Sequence, residues 1–199
     1  MIVFIAFEGG DGAGKTTQIE LLRVRLVDAG YDVVVTREPG GTPLGESIRA
    51  VLLHGDHVAP RAEALLFAAD RAHHVATVVR PALARGAVVL QDRYVDSSVA
   101  YQGAGRELDP ADIKGLSMWA TEGLLPDLTV LLDVTPEVGR ARRGAVHDRL
   151  ESEQDDFHAR VREHYRDLAA SSAERYLVID ASLPAEEIAA IVADRVEPV

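Results

Sequence analysis

Short apolar runs alternate with longer segments of helical periodicity along this chain. Five runs are typical of buried strands, at residues 2–7, 32–36, 87–91, 128–133 and 175–180. After the first run, apolar residues such as Ile19, Leu22 and Leu26 recur at the spacing of an amphipathic helix, and helical segments separate the other runs. Strands that alternate with helices predict right-handed crossovers and a parallel sheet covered on both faces. We therefore expect an α/β fold with three layers, α/β/α, around a five-stranded parallel sheet.

The segment between the first strand and the first helix fits the motif G-x-x-x-x-G-K-[ST]. Glycines allow backbone N–H groups to surround phosphate oxygens, and the start of a helix adds partial positive charge. The motif predicts that Lys15 reaches the β- and γ-phosphates of a nucleoside triphosphate and that the Thr16 hydroxyl ligates Mg²⁺. We therefore predict a loop for the phosphates of ATP, formed by Gly9, Gly10, Asp11, Gly12, Ala13, Gly14, Lys15, Thr16 and Thr17.

Composition narrows the classes of protein that remain. The chain has 199 residues, and its net charge of −11 argues against extended binding to nucleic acid or to an anionic membrane surface. With no cysteine it can form neither a disulfide nor a thiolate zinc site, and its seven histidines suggest no metal site. Without asparagine, the N-K-x-D motif that reads guanine cannot occur. The apolar start is too short for a signal peptide, and no run approaches the length of a membrane span, so we expect a cytoplasmic protein.

Charged residues collect where the predicted strands end, which is where ligands bind in such folds. Arg37 follows the second strand, Arg93 follows the third, and Arg71 lies in a long helical segment. Three guanidinium groups directed at one cleft would bind a phosphate group, although for any one of these arginines a surface ion pair would be the better interpretation. Asp92 ends the third apolar run, which is the position of an acidic residue that stabilises bound Mg²⁺ in kinases. Asp92 could instead form an ion pair with its neighbour Arg93.

Further motifs resemble those of the thymidylate kinases. Beside the phosphate loop they are Thr36-Arg37-Glu38-Pro39-Gly40-Gly41-Thr42, Phe67-Ala68-Ala69-Asp70-Arg71, Asp92-Arg93-Tyr94 and Ser97-Ser98-Val99-Ala100-Tyr101-Gln102-Gly103. They occur in the order of that family, and the resemblance covers nearly the whole chain. It implies a nucleoside monophosphate kinase-like fold with a phosphate loop and Mg²⁺-assisted phosphorylation of dTMP to dTDP by ATP. It also implies a homodimer built from the helical layer.

The resemblance also assigns roles to individual residues. It places Arg37 and Arg93 at the acceptor phosphate, Arg71 at the base and Phe67 under the thymine ring, although Phe67 by itself suits an ordinary helix core. Ser98, Tyr101 and Gln102 match the stretch near the base and the deoxyribose C2′, where the Tyr101 ring would exclude a hydroxyl group. Asp11 and Glu8 match acidic positions near the acceptor's sugar and the metal.

A dense basic stretch, with Arg140, Arg142, Arg143 and Arg149, predicts a lid at about residues 140–150 of a single kinase domain spanning residues 1–199. The phosphate loop contains no arginine, and the resemblance then implies a catalytic arginine in the lid. The candidate catalytic set is therefore Lys15, Arg93, Arg142, Arg143 and Arg149. The charge pattern also fits a solvated helix face. Two other functions stay open, namely a kinase for another nucleoside monophosphate or deoxynucleoside and a nucleotide-binding regulator without turnover.

Overall fold

Five parallel strands form the central sheet of the computed structural model, which describes residues 2–142 and 148–196. The strands are β1 (Phe4–Glu8), β2 (Val33–Arg37), β3 (Val88–Asp92), β4 (Leu128–Asp133) and β5 (Tyr176–Asp180), in the spatial order β2-β3-β1-β4-β5. All neighbouring pairs are parallel. The predicted α/β class and strand positions are confirmed. In the structure β1 begins two residues later than predicted, β2 and β3 begin one residue later, and all three end one residue later, at Glu8, Arg37 and Asp92.

Helices fill the connections between the strands. They are α1 (Lys15–Asp28), α2 (Pro43–His54), α3 (Pro60–His74), α4 (Arg80–Ala84), α5 (Val95–Ser98), α6 (Pro110–Ala120), α7 (Pro136–Arg142), α8 (Asp155–Ser171) and α9 (Ala185–Val196). Proline, whose fixed φ suits a first helical turn, opens α2, α3 and α6. The sequence did not predict the π-helical segments Val75–Val79 and Val99–Gly105.

Alternating side chains of the strands build a core on each face of the sheet. Ile5 and Phe7 of β1 pack with α1 and α9, whereas Phe4 and Ala6 face the π-helical segments and α6. This two-sided burial explains why the strands have continuous apolar runs. On α1 the structure buries Ile19, Leu22 and Leu26. No helix in the described ranges has both the length and the apolar character needed to cross a membrane.

Strand order brings the predicted motifs to one edge of the sheet. β1 lies between β3 and β4, and Phe7 is in register with Asp92. The Arg93 backbone N–H then donates to the Phe7 carbonyl at 3.0 Å. The phosphate-loop motif after β1 and the Asp92-Arg93 motif of β3 therefore lie side by side at the carboxyl ends of the strands, where ligands bind in parallel sheets.

Candidate functional site

A cleft of about 700 Å³ opens at the carboxyl ends of the strands. It collects most of the residues that the sequence singled out, namely Asp11, Gly12, Ala13, Gly14, Lys15, Thr16, Thr17, Arg37, Phe67, Arg71, Asp92, Arg93, Ser98, Tyr101, Gln102 and Arg142. Gly9, Gly10 and Arg149 do not line it. Arg143 lies outside the described residues.

The phosphate loop places Lys15 at the first position of α1. Gly14, at φ +94°, precedes the helix in the left-handed conformation that glycine adopts readily. The Lys15 Nζ donates to the carbonyl oxygens of Gly9 and Gly10, both at 3.1 Å. Burial lowers the pKa of Lys15, and the neighbouring Arg93 adds to this effect. Thr16 and Thr17 lie exposed in the first turn of α1, at the cleft. This arrangement can bind a polyanion.

Asp92 has the features of a metal-facing carboxylate. Its Oδ1 is buried and has no hydrogen-bond partner among the described residues, although the side chain lines the cleft together with Thr16. Nowhere in residues 2–142 and 148–196 do three or more His, Cys, Asp or Glu side chains form a metal cluster. Mg²⁺ usually binds through one or two protein ligands together with substrate phosphates, so Thr16 and Asp92 fit such an ion.

Arg93, Asp11 and Tyr101 form a contact triangle in the floor of the cleft. The Arg93 backbone adopts φ +63°, an uncommon conformation for a residue with a side chain. Its guanidinium pairs with Asp11 and donates to the Tyr101 hydroxyl at 3.3 Å, while Tyr101 donates to Asp11 at 3.2 Å. The buried Tyr101 ring packs edge-on against Phe157 and Tyr165. These contacts hold the Arg93 guanidinium in one position.

Arg71 is buried in a network that the sequence did not reveal. Its Nε donates to Glu38 at 2.7 Å, and its other nitrogens donate to Ser98, Ser117 and the Tyr94 carbonyl. The other oxygen of Glu38 lies 2.8 Å from His74 Nδ1. A guanidinium that is only 1% exposed, yet lines the cleft, has a fixed donor direction. Such a group can select one arrangement of acceptors on a ligand.

Arg37 and Arg49 line the same side of the cleft. Arg37 pairs with Glu46 of α2 at 2.7 Å, and both side chains are half-exposed. Arg49, also on α2, donates to the Pro39 carbonyl at 2.9 Å, and burial followed by Arg37 lowers its pKa. We did not predict Arg49 because it stands outside the quoted motifs, on a helix whose basic residues suit a solvated face. Its position brings a further cation to Arg37 and Arg93.

Phe67, Ser98 and Gln102 line the cleft from α3, α5 and the second π-helical segment. Phe67 is 9% exposed and also belongs to a core cluster, so it packs in the core and contacts the cleft. Ser98 accepts from Arg71 at 3.1 Å, and Gln102 donates to the buried Glu63 at 2.9 Å. The three side chains thus present an aromatic face, a hydroxyl and an amide to one cavity.

The basic residues of the predicted lid have different environments. Arg142 lines the cleft and donates to the Ala181 carbonyl at 2.7 Å. Arg140 pairs with Asp155 at the surface. Arg149 donates to the Leu52 carbonyl at 2.8 Å and to Glu63 at 2.6 Å. Of the three, Arg142 is the one that lines the cleft.

Glu8 lies under the cleft and does not line it. The side chain is fully buried and accepts from the backbone of Tyr94 at 2.8 Å, the Ser97 hydroxyl at 2.5 Å and the Tyr165 hydroxyl at 2.8 Å. Burial, followed by the nearby Asp96, raises the pKa of its carboxyl group. These contacts join β1 to α5 and α8 beneath the site.

Comparison with known proteins identifies the family that shares these features. The sequence model of the family described as thymidylate kinase matches residues 7–192. A thymidylate kinase from Clavibacter michiganensis subsp. michiganensis is 63% identical, over 98% of this chain and 94% of its own length. One from Bifidobacterium longum (strain NCC 2705) is 58% identical, over 96% of each chain. The crystal structure of thymidylate kinase from Ehrlichia chaffeensis superposes with a TM-score of 0.82 at 33% identity, over 98% of each chain. This chain belongs to the thymidylate kinase family.

Proposed function

We propose that this chain transfers the γ-phosphoryl group of ATP to the phosphate of dTMP by in-line displacement, within the cleft at the carboxyl ends of the strands. The observation that carries this mechanism is the convergence of Lys15, Arg93 and Arg142 with the acidic Asp92 in one cavity. Phosphoryl transfer needs positioned reactants and fixed positive charge more than covalent chemistry from the protein. The acceptor phosphate oxygen is already anionic, so no general base is required.

The donor end of the cleft is formed by the phosphate loop and the start of α1. The backbone N–H groups of the loop and the ammonium group of Lys15 would hold the β- and γ-phosphates. Thr16 and Asp92 would hold Mg²⁺, which neutralises phosphate charge when it is bound. Beside the loop, Ala181, Leu183 and Ile188 supply an apolar wall that suits the adenine ring.

The acceptor end lies on the β2 and β3 side. Arg37, Arg49 and Arg93 would bind the phosphate of dTMP, and Asp11, paired with Arg93, would face the sugar. Phe67 would stack on thymine, while Arg71, Ser98 and Gln102 would face the edge of the base. The Tyr101 ring, fixed by its aromatic neighbours, would occupy the space of a ribose 2′-hydroxyl.

An acceptor scan at fixed ATP tests this assignment. Initial rates of ADP release with dTMP, dUMP, dCMP, dGMP, thymidine and the ribonucleotide of thymine would be compared at equal concentrations. We expect dTMP to be fastest and dUMP to be slower without being rejected, because one methyl group is worth about 1–3 kcal/mol. A faster rate with another nucleotide or with thymidine would overturn the proposal, and so would nucleotide binding without turnover.

We further propose a homodimer that forms through the helical layer. Val51 of α2, Leu65 of α3 and Trp119 of α6 are 50%, 58% and 79% exposed. They lie on helices that pack side by side, and a continuous apolar patch on these helices would mark an interaction surface. Light scattering should give twice the chain mass for the wild type and the single mass for Trp119→Asp. A monomeric wild type would overturn the proposal of a homodimer. We place the enzyme in the cytoplasm, where its nucleotide substrates would be available.

A further inference from the structure

We infer that Glu63, a buried carboxylate outside the cleft, is a positioning residue that sets which end of the Gln102 amide faces the acceptor base. This inference rests on the proposed function, in which Gln102 faces that base. Glu63 lies in the first turn of α3, its side chain is fully buried, and it does not line the cleft. The phosphoryl-transfer mechanism gives it no direct task.

Three donor side chains converge on the Glu63 carboxylate. Its Oε1 accepts from Gln102 Nε2 at 2.9 Å and from Arg106 Nε at 3.2 Å. Its Oε2 accepts from Arg149 Nη2 at 2.6 Å and from Arg106 Nη2 at 3.3 Å. Burial tends to raise the pKa of Glu63, but the hydrogen bonds from Gln102, Arg106 and Arg149 outweigh burial and lower it. The group is therefore ionised and accepts at both oxygens.

An ionised carboxylate cannot donate a hydrogen bond, so the amide nitrogen of Gln102 must be the end that faces it. This contact turns the other end of the amide, the carbonyl oxygen, away from Glu63. Gln102 lines the cleft, so the acceptor base meets a side chain whose polarity is fixed. Thymine carries an N–H donor at N3, which pairs with a carbonyl oxygen. Cytosine carries an acceptor at N3, which does not.

Arg149 extends the same network to the carboxyl-terminal end of the predicted lid. Its backbone N–H donates to the Leu53 carbonyl at 3.1 Å, and its Nε donates to the Leu52 carbonyl at 2.8 Å. Asp148, Leu150 and Glu151 of this segment line the cleft. One buried carboxylate therefore positions an amide at the base and anchors a neighbouring wall of the cavity.

The substitution Glu63→Gln tests the inference, because it replaces one oxygen by an amino group that must face a donor. If that group faces Gln102, the Gln102 amide has to turn and present its nitrogen to the base. We expect kcat/KM for dTMP to fall by about 10- to 100-fold, because the thymine N3–H would then face another N–H donor and lose its hydrogen-bond acceptor. The KM for ATP should stay unchanged. The kcat/KM for dTMP divided by that for dCMP should fall about tenfold.

Asp96→Asn is the matched control. Asp96 is also a buried carboxylate outside the cleft, and it pairs with Arg175 at 2.9 Å. Its partner Arg175 does not line the cleft, whereas Gln102, the partner of Glu63, does. The Asp96→Asn substitution should lower thermal stability and leave the dTMP-to-dCMP ratio of kcat/KM at the wild-type value. Equal narrowing in both variants would overturn the inference, because the effect would then follow from general destabilisation.

A second substitution makes the test specific to the network. Adding Arg149→Gln places a side-chain amide oxygen at position 149. The amino group introduced by Glu63→Gln can donate to that oxygen, and the remaining side-chain oxygen at position 63 can again accept from Gln102. The double variant should therefore recover the dTMP-to-dCMP ratio that Glu63→Gln alone loses. If Glu63→Gln lacks native circular dichroism, Glu63→Asp replaces it. The aspartate carboxylate is one methylene shorter and would no longer reach Gln102, so the amide would be free to turn and the dTMP-to-dCMP ratio of kcat/KM should fall in this variant as well.

The possible failures are distinguishable. A wild-type enzyme without preference for dTMP over dCMP would contradict the proposed function itself. A wild-type enzyme with that preference, and a folded Glu63→Gln or Glu63→Asp variant that keeps it in full, would overturn only the role of Glu63.

Discussion

Gly12 and Gly139 bring the phosphate loop and α7 into direct backbone contact. A Cβ atom on Gly12 would lie 2.3 Å from the Gly139 carbonyl oxygen, and one on Gly139 would lie 2.5 Å from the Asp11 carbonyl oxygen. Both distances are too short for a real carbon. Gly12, at φ +78°, also needs the backbone freedom of glycine. The two residues thus set the distance between the ATP-phosphate loop and the helix that carries Arg142.

We predict that Gly139→Ala lowers kcat, because either the loop or α7 must shift to admit the methyl group. The matched control is Gly115→Ala, at a helical glycine in α6 with nothing within 4 Å of the added carbon. Alanine favours a helix by up to about 1 kcal/mol over glycine, so the control should keep its kcat and unfold at a slightly higher temperature. Wild-type kcat in Gly139→Ala would show that the contact has no role in catalysis.

Lys15→Ala should abolish turnover and preserve the fold. The ammonium group supplies charge at the transferring phosphates and contributes little to the core, so its loss acts on the transition state. Lys114, the other lysine of the chain, is exposed on α6 and provides the control Lys114→Ala. Steady-state rates and circular dichroism would be measured for both. Near-normal kcat in folded Lys15→Ala would contradict the assignment of the phosphate loop.

Arg142→Ala should reduce kcat by about 10³-fold, on the scale of arginines that stabilise a transferring phosphoryl group. Arg142 lines the cleft, whereas Arg140, two residues earlier on α7, forms a surface pair with Asp155. Exposed pairs contribute little, so Arg140→Ala should retain wild-type kcat and stability. Single-turnover rates at saturating nucleotide separate chemistry from binding. Equal rates in the two variants would exclude Arg142 as the catalytic arginine.

The sequence predicted the sheet because both faces of each strand are buried, which leaves continuous apolar runs. It also predicted that Arg37, Arg71 and Arg93 share a cleft. Arg37 and Arg93 follow strands, whose carboxyl ends meet at one edge of a parallel sheet, and the family resemblance placed Arg71 beside them. All three line one cavity. The strand order and the π-helical segments were not predicted, because they depend on packing between distant parts of the chain.

Buried partners were the main feature that the sequence did not reveal. Glu38 holds Arg71, His74 in turn contacts Glu38, and Glu63 holds Gln102. These three pairs are separated by 33, 36 and 39 positions along the chain. An isolated acidic or histidine residue is usually a surface group, so composition and spacing gave no sign of these contacts. Arg49 was missed for a similar reason. Its approach to Arg37 depends on how α2 packs against the cleft.

Tyr101 should select deoxyribose through its ring and not through its hydroxyl group. The ring is 4% exposed and wedged between aromatic neighbours, so a ribose 2′-hydroxyl would have to displace it. Tyr101→Ala should narrow the kcat/KM gap between dTMP and its ribonucleotide, whereas Tyr101→Phe should keep the gap. The dTMP-to-dUMP ratio should change little in either variant. An unchanged gap in Tyr101→Ala would assign the exclusion to another residue.

The stability of the protein should depend on pH through Asp70. Burial and the neighbouring Glu38 raise the pKa of Asp70 from 3.8 to about 6, although the Gly40 N–H, His74 and Arg71 oppose that shift. Its Oδ2 is buried without a hydrogen-bond partner in the described part of the chain. Because the native state holds this proton more tightly than the unfolded state, ionisation of Asp70 removes stability as the pH rises from about 4 to about 6.

Asp70→Asn removes that ionisation and isolates its effect. The asparagine carbonyl can still accept from the Gly40 N–H, a contact of 3.4 Å in the structure. A shift of about two pKa units corresponds to about 3 kcal/mol, so the unfolding free energy of Asp70→Asn should rise by up to this amount relative to the wild type between pH 4 and pH 7. Urea unfolding of both proteins across this pH range measures the difference between their unfolding free energies. The amide can add a constant to this difference, so the test is how the difference changes with pH. A difference that stays constant with pH would show that Asp70 titrates at its ordinary pKa in the native state.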